Sequence, residues 1–149
     1  MSASTMGNNV IRTEGAPAPV GAYPHARRVG DLLFLSGVGP RVPSTNAVPG
    51  NVMDADGQLL SYDIEAQCHQ VFANVRAVLE ASGARFEDLV DVTVYLTDMA
   101  RDFAAYNRLY AEAFAGVDAC RTTLGITALP TPIAIELKCV AHVASTHRR

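Results

Sequence analysis

The clearest periodic signal in the chain is the set Ile64, Cys68, Val71, Val75, Val78 and Leu79, whose apolar side chains recur at steps of three and four. That spacing lines one face of an α-helix. Ser61 is placed to cap it, Asp63 and Glu65 complement the positive end of its dipole, and Gly83 ends it. The period then changes to two. After a turn at Phe86-Glu87-Asp88, Val90, Val92, Val94 and Leu96 alternate with Asp91, Thr93, Tyr95 and Thr97, the pattern of a half-buried strand. A second helix is predicted from about Asp102 to Phe114, with Phe103, Tyr106, Tyr110 and Phe114 as a core-facing aromatic stripe and Gly116 closing it.

Shorter apolar runs complete the pattern. Val10 to Glu14 reads as an edge strand. His25–Val29 and Leu32–Ser36 flank Gly30-Asp31 as a hairpin, and the unbroken Leu32-Leu33-Phe34-Leu35 is expected to be buried on both faces. Residues 38–60, rich in proline and glycine and poor in large apolar side chains, read as one long irregular loop, a feature more often functional than scaffolding. Arg121–Thr127 and Ile133–Val143 are strands joined by Leu129-Pro130-Thr131-Pro132 and expected to pair antiparallel. Without the first edge strand the order is β-β-α-β-α-β-β: an α+β fold, a mixed sheet with two helices on one face. In the last strand one row (Ile133, Ile135, Leu137, Cys139, Ala141) is apolar. The other (Ala134, Glu136, Lys138, Val140, His142) is mixed, which fits either a face buried against another subunit or an ordinary amphipathic edge.

Composition narrows the function classes. At 149 residues, 49% hydrophobic and 18% charged, the chain suits one folded domain: a flexible arm over 1–9, a domain over 10–144 and a tail over 145–149. No apolar run approaches the ~20 residues of a membrane helix, and Met1 to Asn9 carries no secretory pattern, so the expectation is cytoplasmic. A net charge of -3 with scattered basic residues weighs against nucleic-acid binding. Cys68, Cys120, Cys139 and the four histidines fall in no ligand-like spacing, so neither a disulfide framework nor a metal site is expected.

Glu136 is the most unusual residue, a carboxylate inside an otherwise apolar strand, costly there unless paired or protonated. Arg121 opens a strand of small and apolar residues, and the two charges fit a structural ion pair as well as a site. An arginine holds a carboxylate bidentately, with a nearby hydroxyl such as that of Thr122 or Thr123 to complete the clamp. Tyr23 offers a phenol and Ser36-Gly37 a close-approach backbone, although taken singly the first is more often packing and the second more often a strand end. Asn107 reads as a surface position, and Cys120 beside Arg121 as a minor nucleophile candidate. No Gly-x-Ser-x-Gly elbow, P-loop or Gly-x-Gly-x-x-Gly is present.

Gly21-Ala22-Tyr23, Leu35-Ser36-Gly37, Asp102-Phe103-Ala104-Ala105-Tyr106-Asn107, Arg121-Thr122-Thr123, Leu129-Pro130 and Ile135-Glu136-Leu137, in this order, resemble the reactive-intermediate (imine) deaminase family. The resemblance spans about residues 15 to 143. It implies a chorismate-mutase-like fold, a homotrimer with three active sites at subunit interfaces, and no cofactor. It also implies that Arg121 binds the substrate carboxylate, that Glu136 activates the attacking water, and that Tyr23, Gly37, Asn107 and Thr123 line the pocket. The family often has Gly-Pro-Tyr where this chain has Gly-Ala-Tyr, and cysteine where Thr123 stands. Gly21 to His25, the loop with Arg41, and the ending Glu136-Leu137-Lys138 are similar to 2-aminomuconate deaminases of aromatic-compound degradation. The expected reaction is hydrolysis of the C–N bond of an enamine or imine carboxylate, such as 2-aminomuconate to 2-oxohex-3-enedioate. A dicarboxylate needs a second cation, for which His25 and Arg41 are the candidates. The alternatives are an endoribonuclease or translation inhibitor, and a non-catalytic keto-acid-binding or chaperone-like trimer.

Overall fold

The structure, a computed structural model, describes residues 9–144; the tail and all of the predicted arm but Asn9 lie outside the described residues. The strands are β1 (Val10–Ile11), β2 (Ala26–Val29), β3 (Leu32–Leu35), β4 (Val52–Met53), β5 (Leu59–Ser61), β6 (Leu89–Leu96), β7 (Cys120–Gly125) and β8 (Ile135–His142), with helices α1 (Ile64–Ala81) and α2 (Met99–Ala113). The main sheet runs β1-β2-β3-β8-β6-β7, antiparallel throughout except for β6 and β7. It is an α+β fold with both helices packed on a mixed sheet. No described helix is long and apolar enough to cross a membrane.

Every apolar residue of the α1 stripe is buried, and it meets the sheet row Leu33, Leu35, Val92, Val94, Leu96, Ile135, Leu137, Cys139 and Ala141 in one core. Gln67 and Asn74 are buried on the same stripe, at 0% and 1% exposure. The helix starts differently from the prediction. Ser61 belongs to β5, and Asp63 caps α1 by accepting from the Ala66 N–H at 3.1 Å. Asp98 does the same for α2, accepting from Arg101, so that helix begins at Met99.

Other expectations are corrected by what covers each face. Because the helices cover one face only, Leu32 and Phe34 of β3 stay 39% and 38% exposed, and Leu32–Leu35 is buried on one side, not two. Phe103 is exposed at the edge of its stripe, and the buried neighbour is Asp102, whose carboxylate accepts from the Tyr62 hydroxyl at 2.6 Å. Burial raises the affinity of Asp102 for its proton. A bulge between Leu89 and Asp91 turns Val90 out to solvent and buries Leu89 in its place. The segment 38–60 is not wholly irregular: Val38 bridges to Leu137, and β4 and β5 form a small hairpin.

The predicted β7–β8 pair does not form. β6, α2 and β7 make a βαβ unit, and the helical crossover returns the chain parallel to β6 on its outer side. The last strand then takes the inner side of β6, so β6 separates the two.

Candidate active site

Side chains alternate across a strand, so register assigns each site residue to a face. Glu136 pairs with Tyr95, and Lys138 with Thr93; these rows lie on the face away from the helices. Arg121 pairs with Val92 and Thr123 with Val94, residues of the buried, helix-covered face. Arg121 and Glu136 therefore sit on opposite faces of the sheet, and the chain makes no ion pair between them. Two half-sites result.

The first half-site surrounds Glu136. Between the Phe34–Val140 and Val38–Leu137 pairings, the β3 side spends one residue more than β8, a bulge that presses Ser36-Gly37 onto Glu136. A Cβ on Gly37 would stand 2.4 Å from the Glu136 Oε2 atom, so only glycine permits this approach. Burial raises the affinity of Glu136 for its proton. An open recess of about 360 Å³ lies here, bordered by Tyr23, Ser36, Gly37, Arg41, Thr131, Glu136 and Lys138 among others. The Tyr23 hydroxyl accepts from the Val20 N–H at 3.2 Å, and the Ser36 hydroxyl donates to the Pro24 carbonyl at 2.7 Å. The first bond closes the 20–24 turn, and the second ties it to Ser36 at the rim.

The two suggested second cations fare differently. Arg41 borders the recess, while its guanidinium donates to the Asn46 side chain and the Ala18 carbonyl, each at 2.8 Å. His25 lies outside it. Its Nδ1 accepts from the Thr13 N–H at 3.2 Å, which fixes the proton on Nε2, and Nε2 donates to the Pro17 carbonyl at 2.8 Å. With both nitrogens engaged by backbone, His25 ties the Gly15–Gly21 loop to β2.

The second half-site is built on β7 and α2. Arg121 donates to the Asn107 side-chain oxygen at 2.8 Å and stands over the rings of Tyr110 and Tyr106, 4.8 and 5.3 Å from their centroids. Ring faces attract a guanidinium and fix its plane. The Tyr106 hydroxyl shares a hydrogen bond with the Thr123 hydroxyl at 2.9 Å. Arg121 is exposed and has no carboxylate partner among the described residues, so its forked donors remain available to an anion.

Several contributing residues were assigned no role from sequence. Lys138 donates to the Leu35 carbonyl beside Glu136. Asn74 donates to the carbonyls of Gly39 and Arg41, both at 2.8 Å, and Gln67 accepts from the Ala134 N–H at 2.7 Å. Two polar residues seven apart on an apolar stripe were the available signal.

Comparison with known proteins agrees with this architecture. Residues 13–143 match the family profile described as endoribonuclease L-PSP. A RutC family protein of Pyrococcus horikoshii is 38% identical over 89% of this chain and 96% of its own. A Dermatophagoides farinae protein named 2-iminobutanoate/2-iminopropanoate deaminase is 35% identical over 88% of this chain and 93% of its own. The crystal structure of RidA from an Antarctic Psychrobacter superposes with a TM-score of 0.77 at 30% identity, covering 90% of this chain and 98% of that one. The chain therefore belongs to the endoribonuclease L-PSP family, the group of reactive-intermediate deaminases that its motifs resemble.

Proposed function

We propose that this protein is a cofactor-independent deaminase that hydrolyses an imine, formed by tautomerisation of an enamine, next to a carboxylate. The observation that carries the reading is Glu136, a half-buried carboxylate with no ion-pair partner among the described residues, against bare glycine backbone in an open recess. Such a group is costly to keep for structure alone and suited to moving a proton. Arg121 holds the substrate carboxylate through two parallel hydrogen bonds and so orients the imine carbon. Water attacks that carbon while Glu136 takes its proton. That proton passes to the nitrogen to give a carbinolamine; Glu136 then moves the proton of the new hydroxyl to the amine as the C–N bond breaks, so ammonia leaves and a 2-oxo acid remains.

One subunit cannot do this, because its two half-sites face opposite ways. The working assembly is a homotrimer in which the Arg121 edge of one subunit closes the Glu136 recess of the next. Supporting this, the uncovered sheet face exposes Leu32, Phe34 and Leu124, more apolar surface than a lone strand edge requires. Within this chemistry the finer reading is a dicarboxylate such as 2-aminomuconate, carried by the similarity of residues 21–25 and 136–138. The family's description as an endoribonuclease favours RNA cleavage as the second reading. Against it stand the net charge of -3 and a recess of small-molecule size.

The test measures ammonia release from 2-iminobutanoate generated in situ, and cleavage of RNA, by wild type and Glu136→Gln. The expected result is rapid deamination, no RNA cleavage, and a loss of roughly 100-fold or more in the variant. In wild type, kcat/KM rises with pH through a limb above the ordinary carboxylate range, because burial holds the Glu136 proton. Deamination by Glu136→Gln within a few-fold of wild type rejects the assignment.

A further inference from the structure

The recess around Glu136 carries more positive charge than a single carboxylate needs. Its charged borders are Glu136, Arg41 and Lys138. Arg41 is spent on bracing loops, with donors bound to Asn46 and Ala18. Lys138 differs. It stands two residues from Glu136 on the same strand, hence on the same face, and is half-buried. Its ammonium donates to the Leu35 carbonyl and makes no ion pair among the described residues, which leaves two of its three donors beyond that bond at the border of the recess. A half-desolvated ammonium with no counter-anion is unfavourable unless a ligand supplies one. With Arg121 brought in from a neighbouring subunit, the site holds two positive charges in excess even with Glu136 ionised.

We infer that Lys138 is the specificity-determining cation of the site, binding the far anionic group of a substrate whose near carboxylate is held by Arg121. The substrate class is then an imine or enamine dicarboxylate rather than a monocarboxylate. This rests on the deaminase reading above, and it moves the second cation from Arg41 and His25 to a residue on the strand that carries Glu136. A lysine suits the role because a point charge on a flexible stem tolerates differing chain lengths.

The experiment compares two imines of equal length, 2-iminohexanoate and 2-iminohexanedioate, each generated in situ by an amino acid oxidase. Wild type, Lys138→Met, Lys138→Gln and Lys138→Arg are assayed as full chains. Calorimetry measures binding of the unreactive 2-oxo acids of both. Wild type is expected to prefer the dicarboxylate. The preference in kcat/KM falls about 30-fold or more in the Met and Gln variants, mainly through KM, and largely returns in the Arg variant. No preference in wild type, or an unchanged preference in folded Met and Gln variants, overturns the assignment of Lys138. Failure of wild type to deaminate either imine, with Lys138-dependent binding of 2-oxohexanedioate intact, overturns the deaminase reading and leaves Lys138 as an anion-binding group.

Discussion

At the scale of the residue, the proposed chemistry turns on how Glu136 is held. Its strand neighbours Ile135 and Leu137 are fully buried, which anchors the backbone, and Gly37 limits where the carboxylate can go. A methyl at Gly37 collides with the end of a flexible side chain, not with rigid backbone, so the fold can yield while the carboxylate shifts. Gly37→Ala is therefore expected to unfold within a few degrees of wild type yet lose about 100-fold in kcat/KM, the scale of an ångström-sized misplacement. Thermal melting and ammonia assays read the two effects separately. Near-normal activity would show that the carboxylate need not sit against that backbone. Glu136 and Arg121 were legible in the sequence because a charge in an apolar strand is conspicuous. The surroundings of His25 were less legible: spacing puts it near Tyr23, but spacing does not reveal that Thr13 and Pro17 occupy its ring nitrogens.

At the scale of the element, α1 is both core helix and brace. Its apolar stripe buries the sheet, and Asn74 reaches past it to the carbonyls of Gly39 and Arg41, fixing the loop at the rim of the recess. Asn74→Ala leaves those acceptors without their donor, at a cost of about 1–3 kcal/mol. Denaturant unfolding of the variant measures it, and a change below about 0.5 kcal/mol, the level of an indifferent surface substitution, would remove the brace from the account. Local periodicity made α1, α2 and β6 readable, since each buries one face. Pairing was less so. Nothing in Arg121–Thr127 or Ile133–Val143 says that β6 lies between them; that follows from the crossover of α2, a non-local consequence of chain chirality. The β4–β5 hairpin was hidden because its strands are two and three residues long.

At the scale of the whole molecule, the sheet is a partition. It places Glu136, Gly37, Tyr23 and Lys138 on one side, and Arg121, Asn107 and Thr123 on the other with the helices. The mixed outer row of β8 left open whether this face is solvated or buried against a second subunit, because a strand's own sequence does not reveal its neighbours. In the proposed trimer, joining unlike surfaces around a closed ring makes each site from two chains. That arrangement can be tested without knowing the natural substrate. Arg121→Ala and Glu136→Gln are each expected to be inactive toward 2-iminobutanoate, since every site in either homotrimer lacks one essential group. Unfolded together in equal amounts and refolded, they form mixed rings in which some interfaces pair an intact Arg121 with an intact Glu136. Random mixing restores about a quarter of the wild-type rate, the share of interfaces that receive both groups. Refolded mixtures that form trimers but stay as inactive as the separate variants would contradict a site shared between subunits.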